Sequence, residues 1–238
     1  MLDELIKEPF LGFDPKAVKF LKSLKNPKNN NKEWFHEHSD TYENYIKKPV
    51  RDLIDTLAIE IKKIDPDIVV NYRSIFRINR DVRFSKNKHP YKTHVGFSFC
   101  FDTVKSAEIP QFYYHFSPDE GFLFAGGQYS TDPAKLKKIR AGILENFGEY
   151  VSITGNKKFK RLYGSVHGES ISRLPKGYEH LNNEEVDKKL LDMLMMKQFY
   201  IEKYYDIEVI YSNKIVDIVT ENIRNSYDFI KFLYEASK

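Results

Sequence analysis

The chain has 238 residues, one cysteine and a net charge of +4, with 41% hydrophobic and 15% aromatic residues. One thiol excludes an internal disulfide and a zinc site built from several cysteines, and no apolar run reaches membrane-spanning length. The first ten residues lack the basic and apolar regions of a signal peptide. We therefore expect a cytoplasmic protein without a membrane partner, and the length allows a single domain over 1–238.

The N-terminal part predicts helices. Asp14 and Pro15 are suited to open a first helix. A second is expected to begin near Asn30, because Asn30 and Glu33 have the spacing of a capping box. Pro49 is expected to kink or restart it, and an apolar helical face follows.

The middle of the chain predicts strands. Apolar and polar residues alternate over 72–79 and 93–101, while 111–117 and 122–128 resemble the two arms of a hairpin. No helical pattern separates these segments, which favours an antiparallel sheet. Cys100 falls in an apolar stretch, so we expect its thiol to be buried and inert.

The C-terminal part again predicts helices. Asp132 is expected to cap a helix that Pro133 opens and Gly148 ends. Beyond it we expect loops with short strands over 150–180, a helix near 183–197, one or two strands over 199–211 and a last helix near 213–235. The fold class is α+β, with a central, mainly antiparallel sheet flanked by helices from the N- and C-terminal parts.

Positive charge is concentrated in one segment. Residues 71–94 hold seven lysines and arginines and one acid, Asp81, for a net charge of +6, so the remainder of the chain carries −2. Such a local field suits an anionic ligand. Arginine holds a carboxylate or phosphate through two parallel hydrogen bonds, and lysine adds a point charge.

The predicted strand over 72–79 places Arg73 and Arg77 on one face. The loop that follows, 80–92, carries the other cations near the end of the sheet. Interleaved apolar residues are expected to anchor this loop to the core: Phe76, Ile78, Val82, Phe84 and Tyr91. Asp81 is expected to orient Arg80 or Arg83, with a role as a base as the alternative.

A longer pattern of motifs runs through the chain. It consists of Asn31-x-x-Trp34-Phe35, Tyr42 and Pro49, the runs 76–88 and 90–93, Gly126-Gly127-x-Tyr129, Leu136-x-x-Ile139-Arg140 and the stretch 174–178. This pattern resembles the bacterial and fungal family called domain of unknown function 2461. The resemblance covers about 10–230 and implies a single, mainly cytoplasmic domain with no established activity.

Carried over by residue, the resemblance extends the candidate site to a hairpin exit and a helix. The candidate ligand-binding residues are Arg77, Arg80, Arg83, Ser85, Lys86, Lys88, Tyr91, Lys92, Tyr129 and Arg140. Asp81 and Tyr91 are the candidate catalytic residues. Gly126 and Gly127 predict either a bulge or a close approach of the backbone to a ligand.

No spacing of the histidines predicts a metal site, and the sequence indicates no particular cofactor. His94 and His115 would meet if their strands pair. Three interpretations stay open. The first is a pocket for a small anionic or phosphorylated ligand, extending to an enzyme of phosphate or nucleotide chemistry. The second is a nucleic-acid-binding module with Tyr91 or Trp34 stacked on bases. The third is a structural or interaction protein with an internal network of ion pairs.

Overall fold

The computed structural model describes residues 9–104, 108–130, 132–183 and 185–238. Within these residues the chain forms one antiparallel sheet, whose strands follow one another in sequence order. In β1 and β2, Ile68 pairs with Phe101 and Val69 with Cys100. The predicted α+β class is confirmed. The strands are β1 (Ile68–Val69), β2 (Val95–Phe101), β3 (Gln111–Ser117), β4 (Gly121–Gln128) and β5 (Phe199–Tyr205).

Along the chain, helices precede β1, connect β4 to β5 and follow β5. The N-terminal helices are α1 (Lys16–Ser23), α2 (Lys32–Glu37), α3 (Ser39–Tyr42) and α4 (Lys48–Lys62), with a π-helical turn over Glu43–Lys47. The others are α5 (Pro133–Glu145), α6 (Phe147–Gly155), α7 (Lys157–Tyr163), α8 (Lys188–Met195) and α9 (Lys214–Ser237). None of the helices in the described residues is both long and apolar enough to cross a bilayer.

Aromatic side chains fill the interior around the sheet. Every residue of β2 is buried, so the strand is covered on both faces, and Cys100 is buried as predicted. Tyr114 of β3 is fully buried and its hydroxyl donates to the carbonyl of Val219 in α9 at 3.1 Å. The hydroxyl therefore has a partner inside the core, as a buried polar group requires.

The first residues of α5 and α2 test two capping predictions. The Asp132 side chain accepts from the N–H groups of Ala134 and Lys135, so the predicted cap is confirmed. The capping prediction at Asn30 is wrong, because the neighbouring Asn31 caps α2 by accepting from Trp34 N–H at 2.9 Å. Asn30 is buried and bonded elsewhere.

Three further predictions need correction. Residues 72–79 form no strand: Asn71 caps a 3-10 turn over Tyr72–Ser74, and this local hydrogen bonding overrides the alternation. Gly148 does not end a helix, since α5 ends at Glu145 and Gly148 lies inside α6. Loops with short strands are expected over 150–180, yet α6 continues to Gly155 and α7 spans Lys157–Tyr163. Asn156 caps α7 by accepting from Lys158 N–H.

By internal contacts the chain divides into two compact units. The first comprises the described residues up to Val104, with Tyr113–Phe124 and Tyr204–Asn222. The second comprises the described parts of 105–112 and 125–203, with Ile223–Lys238. The basic segment of residues 71–94 belongs entirely to the first unit.

Candidate functional site: a cationic pocket in the first unit

An irregular antiparallel ribbon carries the basic segment. Phe76 N–H donates to Gly96 carbonyl at 2.9 Å, Lys92 N–H to Ile78 carbonyl at 2.8 Å, and Arg80 N–H to Pro90 carbonyl at 2.7 Å. These bonds fix both ends of the 81–89 loop to the scaffold. The ribbon, rather than the predicted strand, positions the site, so Arg73 and Arg77 do not share a strand face.

Asn30 locks the ribbon to the connection between α1 and α2. Its side-chain amide accepts from Tyr91 N–H at 2.9 Å and donates to Tyr91 carbonyl at 3.0 Å and to Leu24 carbonyl at 2.9 Å. The Tyr91 ring is buried and stacks on Phe35, with centroids 4.0 Å apart. Tyr91 is thus held through its backbone and its ring together.

These contacts enclose a pocket of about 280 Å³ in the first unit. We call it the cationic pocket, because no aspartate or glutamate is among its lining residues. They are Leu24, Lys25, Asn30, Arg80, Asn87, His89, Tyr91, Lys92, Thr93 and His94. Of the ten predicted ligand-binding residues, Arg80, Tyr91 and Lys92 line it.

The three strongly basic residues of the pocket have different surroundings. Arg80 donates to two neutral oxygens, the His89 carbonyl at 3.1 Å and Ser85 Oγ at 3.3 Å. Lys25 pairs with Asp119 at 2.5 Å, which offsets its charge in part. The Lys92 ammonium lies 5.5 Å from the centre of the Phe76 ring. Within the described residues no carboxylate bonds Arg80, so its charge is directly available to a ligand.

The tip of the loop lies outside the pocket. Asp81 and Arg83 form an exposed pair at 2.6 Å, with 58% and 76% of their side chains accessible, and this pairing holds the pKa of Asp81 below its usual range. Lys88 donates to the carbonyls of Val82 and Arg83. Phe84, expected to anchor the loop, is 96% exposed. The expectation of anchoring holds for Ile78 and Tyr91, which are buried, and is wrong for Phe84.

A histidine cluster adjoins the pocket. His94 lines it, and the His115 ring lies 5.1 Å from the His94 ring, so the two histidines meet as the strand pairing required. His115 Nε2 lies 2.7 Å from Glu120 Oε2, and its Nδ1 lies 3.1 Å from Tyr113 Oη. Since the carboxylate can only accept, Nε2 carries the proton in this pair and the Tyr113 hydroxyl donates to Nδ1.

Three groups of this cluster have shifted pKa values, namely His94, His115 and Tyr113. Burial, then the neighbouring His115 and Lys92, lower the pKa of His94 to about 4. Burial also lowers the pKa of His115, against the opposing effect of Glu120. Burial and Glu120 raise the pKa of Tyr113 to about 12. At neutral pH the structure therefore favours a neutral imidazole at His94.

The remaining predicted residues lie elsewhere. Arg77 and Lys86 are exposed, and Ser85 serves as a partner of Arg80. Tyr129 and Arg140 belong to the second unit and do not line the cationic pocket. Tyr129 is exposed and packs edge-on against Tyr200.

Arg140 is 8% exposed and donates through Nη2 to the Met196 carbonyl at 2.8 Å. Its Nε has no partner among the described residues. Gly127 has φ +118°, and a Cβ there would lie 2.2 Å from the Phe199 carbonyl. A close approach to β5 therefore explains this glycine without a ligand.

No group of three or more histidine, cysteine or acidic residues in the described parts of the chain is arranged to hold a metal ion.

A sequence model of the family described as conserved hypothetical protein (DUF2461) matches residues 16–232. The chain belongs to this family. No curated protein and no solved structure gave a significant match. The family description carries no activity, so the chemistry of the pocket rests on its own residues.

Sequence reasoning missed four residues of the site: Lys25, Asn30, His89 and Glu120. The first two come from the connection between α1 and α2, more than forty residues before the basic segment. The cluster of asparagines at 29–31 was a usable signal, since three consecutive amides exceed what one helix cap needs. Glu120 lies between the two arms of the predicted hairpin.

Proposed function

We propose that the cationic pocket binds a small phosphorylated ligand, or another small anion of similar charge. The observation that supports this most directly is the composition of its lining: Lys25, Arg80 and Lys92 with two histidines, and no carboxylate. A volume of about 280 Å³ suits a phosphate group with a small organic part, since small-molecule pockets begin at about 300 Å³.

Arg80 is the centre of the proposal. Its guanidinium is oriented by two neutral acceptors from its own loop, so an anion would not have to displace a carboxylate to reach it. Lys92 and the clamped Tyr91 also line the pocket. An enzyme acting on phosphate esters or nucleotides would use the same cations to stabilise negative charge developing in the transition state.

Thermal unfolding with inorganic phosphate, a sugar phosphate and a nucleoside monophosphate, at constant ionic strength, tests the proposal. A ligand at one hundred times its Kd stabilises the native state by about 2.7 kcal/mol, which raises Tm by several degrees. Lys92→Gln should abolish most of the shift, and Lys86→Gln, at the exposed loop tip, should leave it unchanged. No shift with any of the three anions would refute the proposal.

A second candidate function, binding of single-stranded nucleic acid, is favoured by one observation. Phe84 is 96% exposed on the loop that also carries Arg83, Lys86 and Lys88. Trp34 and Tyr91, the expected stacking residues, are instead engaged with His38 and Phe35. Phe84 would stack on a base while the cations contact phosphates.

Filter binding of a short single-stranded oligonucleotide at low and moderate salt distinguishes this candidate. Affinity should fall steeply with salt, and Phe84→Ala should weaken binding about tenfold or more, because stacking on one base contributes about 1–3 kcal/mol. Binding that is absent even at low salt, or indifferent to Phe84→Ala, would exclude this role of the loop.

A further inference from the structure

His94 stands at the boundary between the cationic pocket and the histidine cluster. It lines the pocket, and also a cavity of about 30 Å³ beside Tyr42 and Lys47. Its ring makes no hydrogen bond to another described residue, so both ring nitrogens are open to a ligand or to water.

The ring nitrogens of His115 are not open to a ligand in this way. Both of its ring nitrogens are engaged, Nε2 by Glu120 and Nδ1 by Tyr113. The neighbouring His115 therefore keeps one proton and one orientation. Of the two histidines, His94 is the one whose protonation state can change when a ligand enters the cationic pocket.

Charged and titratable groups face His94 from several elements. Lys92 lies on its own ribbon, His115 on β3 and Glu120 in the turn that follows β3. Around the two cavities that His94 lines are Lys25 with its partner Asp119, Arg80, His89, Tyr91, Tyr42 and Lys47 with its partner Glu43. Burial disfavours a charged ring at His94, and cations outnumber acids in this set, so a further positive charge there is unfavourable while the pocket holds no anion.

We propose that His94 takes up a proton when a dianion, such as a phosphate monoester, binds in the cationic pocket. This inference rests on the proposed function. A dianion brings opposite charge next to the imidazole and reverses the balance that disfavours imidazolium. The protonated ring then donates a charge-assisted hydrogen bond to an anion oxygen. Binding and protonation are thermodynamically linked, so each strengthens the other by the same factor.

The linkage predicts the direction in which the affinity for a dianion changes with pH. The pKa of His94 is about 4 in the pocket without anion, and the bound anion raises it. The affinity for a dianion should therefore rise as pH falls below the raised pKa, by up to tenfold per pH unit, and level off near pH 4. Above the raised pKa the affinity should not depend on His94.

Isothermal titration calorimetry with sulfate is the direct test, because sulfate remains a dianion across this range and its own titration does not interfere. The same titration at pH 5 in two buffers of different ionisation enthalpy gives the number of protons taken up. We expect substantial uptake in the native sequence, none in His94→Gln, and unchanged uptake in His36→Gln, which alters an exposed histidine of α2 that does not line the pocket.

The outcomes separate the inference from the proposed function. If neither sulfate nor inorganic phosphate binds at any pH, the anion pocket itself is refuted. If the anion binds without proton uptake, or if His94→Gln takes up as many protons as the native sequence, only the role of His94 is refuted. Proton resonances of the histidine rings, followed with and without sulfate in the native sequence, check the result without any substitution: the His94 resonance should titrate at higher pH when sulfate is present.

Discussion

Asn30 and Tyr91 are 61 residues apart, yet the amide of Asn30 satisfies both the N–H and the C=O of Tyr91. This pairing holds the basic ribbon against the connection between α1 and α2. It reproduces, with one side chain, the two hydrogen bonds that a neighbouring strand would supply. The wall of the cationic pocket depends on it.

Replacing Asn30 should therefore be costly. Asn30→Ala would leave the Tyr91 amide and the Leu24 carbonyl without partners in the interior, at about 1–3 kcal/mol per unsatisfied group. We expect the free energy of unfolding in urea to fall by about 2–4 kcal/mol. Lys28→Ala, an exposed change in the same connection, should stay within about 0.5 kcal/mol of the native value. Equal stability of the two variants would contradict the proposed clamp.

Gly127 should tolerate no side chain. Its φ is +118° and an added Cβ would meet the Phe199 carbonyl at 2.2 Å, so Gly127→Ala forces strands β4 and β5 apart locally. We expect a loss of about 3 kcal/mol or more in urea unfolding. Gly148 in α6 is the matched control, because a Cβ there meets nothing within 4 Å. Gly148→Ala should leave stability unchanged or raise it by up to about 1 kcal/mol, in line with helix propensity.

The Asp81–Arg83 pair should contribute little to stability. Both side chains are mostly exposed, and ion pairs in such positions contribute little to stability because water screens them. Arg83→Ala and Asp81→Ala should each leave Tm nearly unchanged. A large loss in either variant would instead favour the third interpretation of the sequence, an ion-pair network that holds the fold.

Acid should destabilise the native state partly through His94. Its pKa is about 4 in the folded protein and near 6.5 in the unfolded chain, so unfolding binds a proton between these values. The stability it contributes is complete above about pH 6.5 and is lost as pH falls toward 4; allowing for solvent screening, we expect about 1–2 kcal/mol. Urea unfolding at pH 7.5 and pH 5 measures this loss, and His94→Gln should reduce it. An identical pH dependence in the variant would argue against a buried neutral His94.

We also propose that 1–238 folds as one domain. The boundary between the two compact units runs through β3, β4, β5 and α9, so each of these elements contains residues of both units. Trp34 is the single tryptophan and reports on the first unit, whereas far-ultraviolet circular dichroism reports on all helices. The two probes should give coincident urea transitions, as two-state unfolding requires. Separate midpoints would show two independent domains.

Local signals in the sequence were sufficient for much of the architecture. The β3–β4 hairpin follows from alternation around a turn at Pro118–Gly121, and α5 begins at the Asp132 cap with Pro133 behind it. A local hydrogen bond also explains a wrong prediction. The Asn71 side chain caps a 3-10 turn that begins at Tyr72, where the alternation of apolar and polar residues predicted a strand. Such features depend on neighbours a few residues apart.

The sequence by itself determined that the chain carries an α+β fold and that its excess positive charge lies within 71–94. Only the tertiary structure decided which cations face a common space. Arg80 and Lys92 line the cationic pocket because the ribbon and Asn30 hold them there, whereas Arg83 and Lys88 find partners within their own loop. The pairings of Asn30 with Tyr91, Lys25 with Asp119 and His94 with His115 join distant segments. Composition and periodicity describe each segment alone, and only folding of the whole chain brings these distant residues into contact.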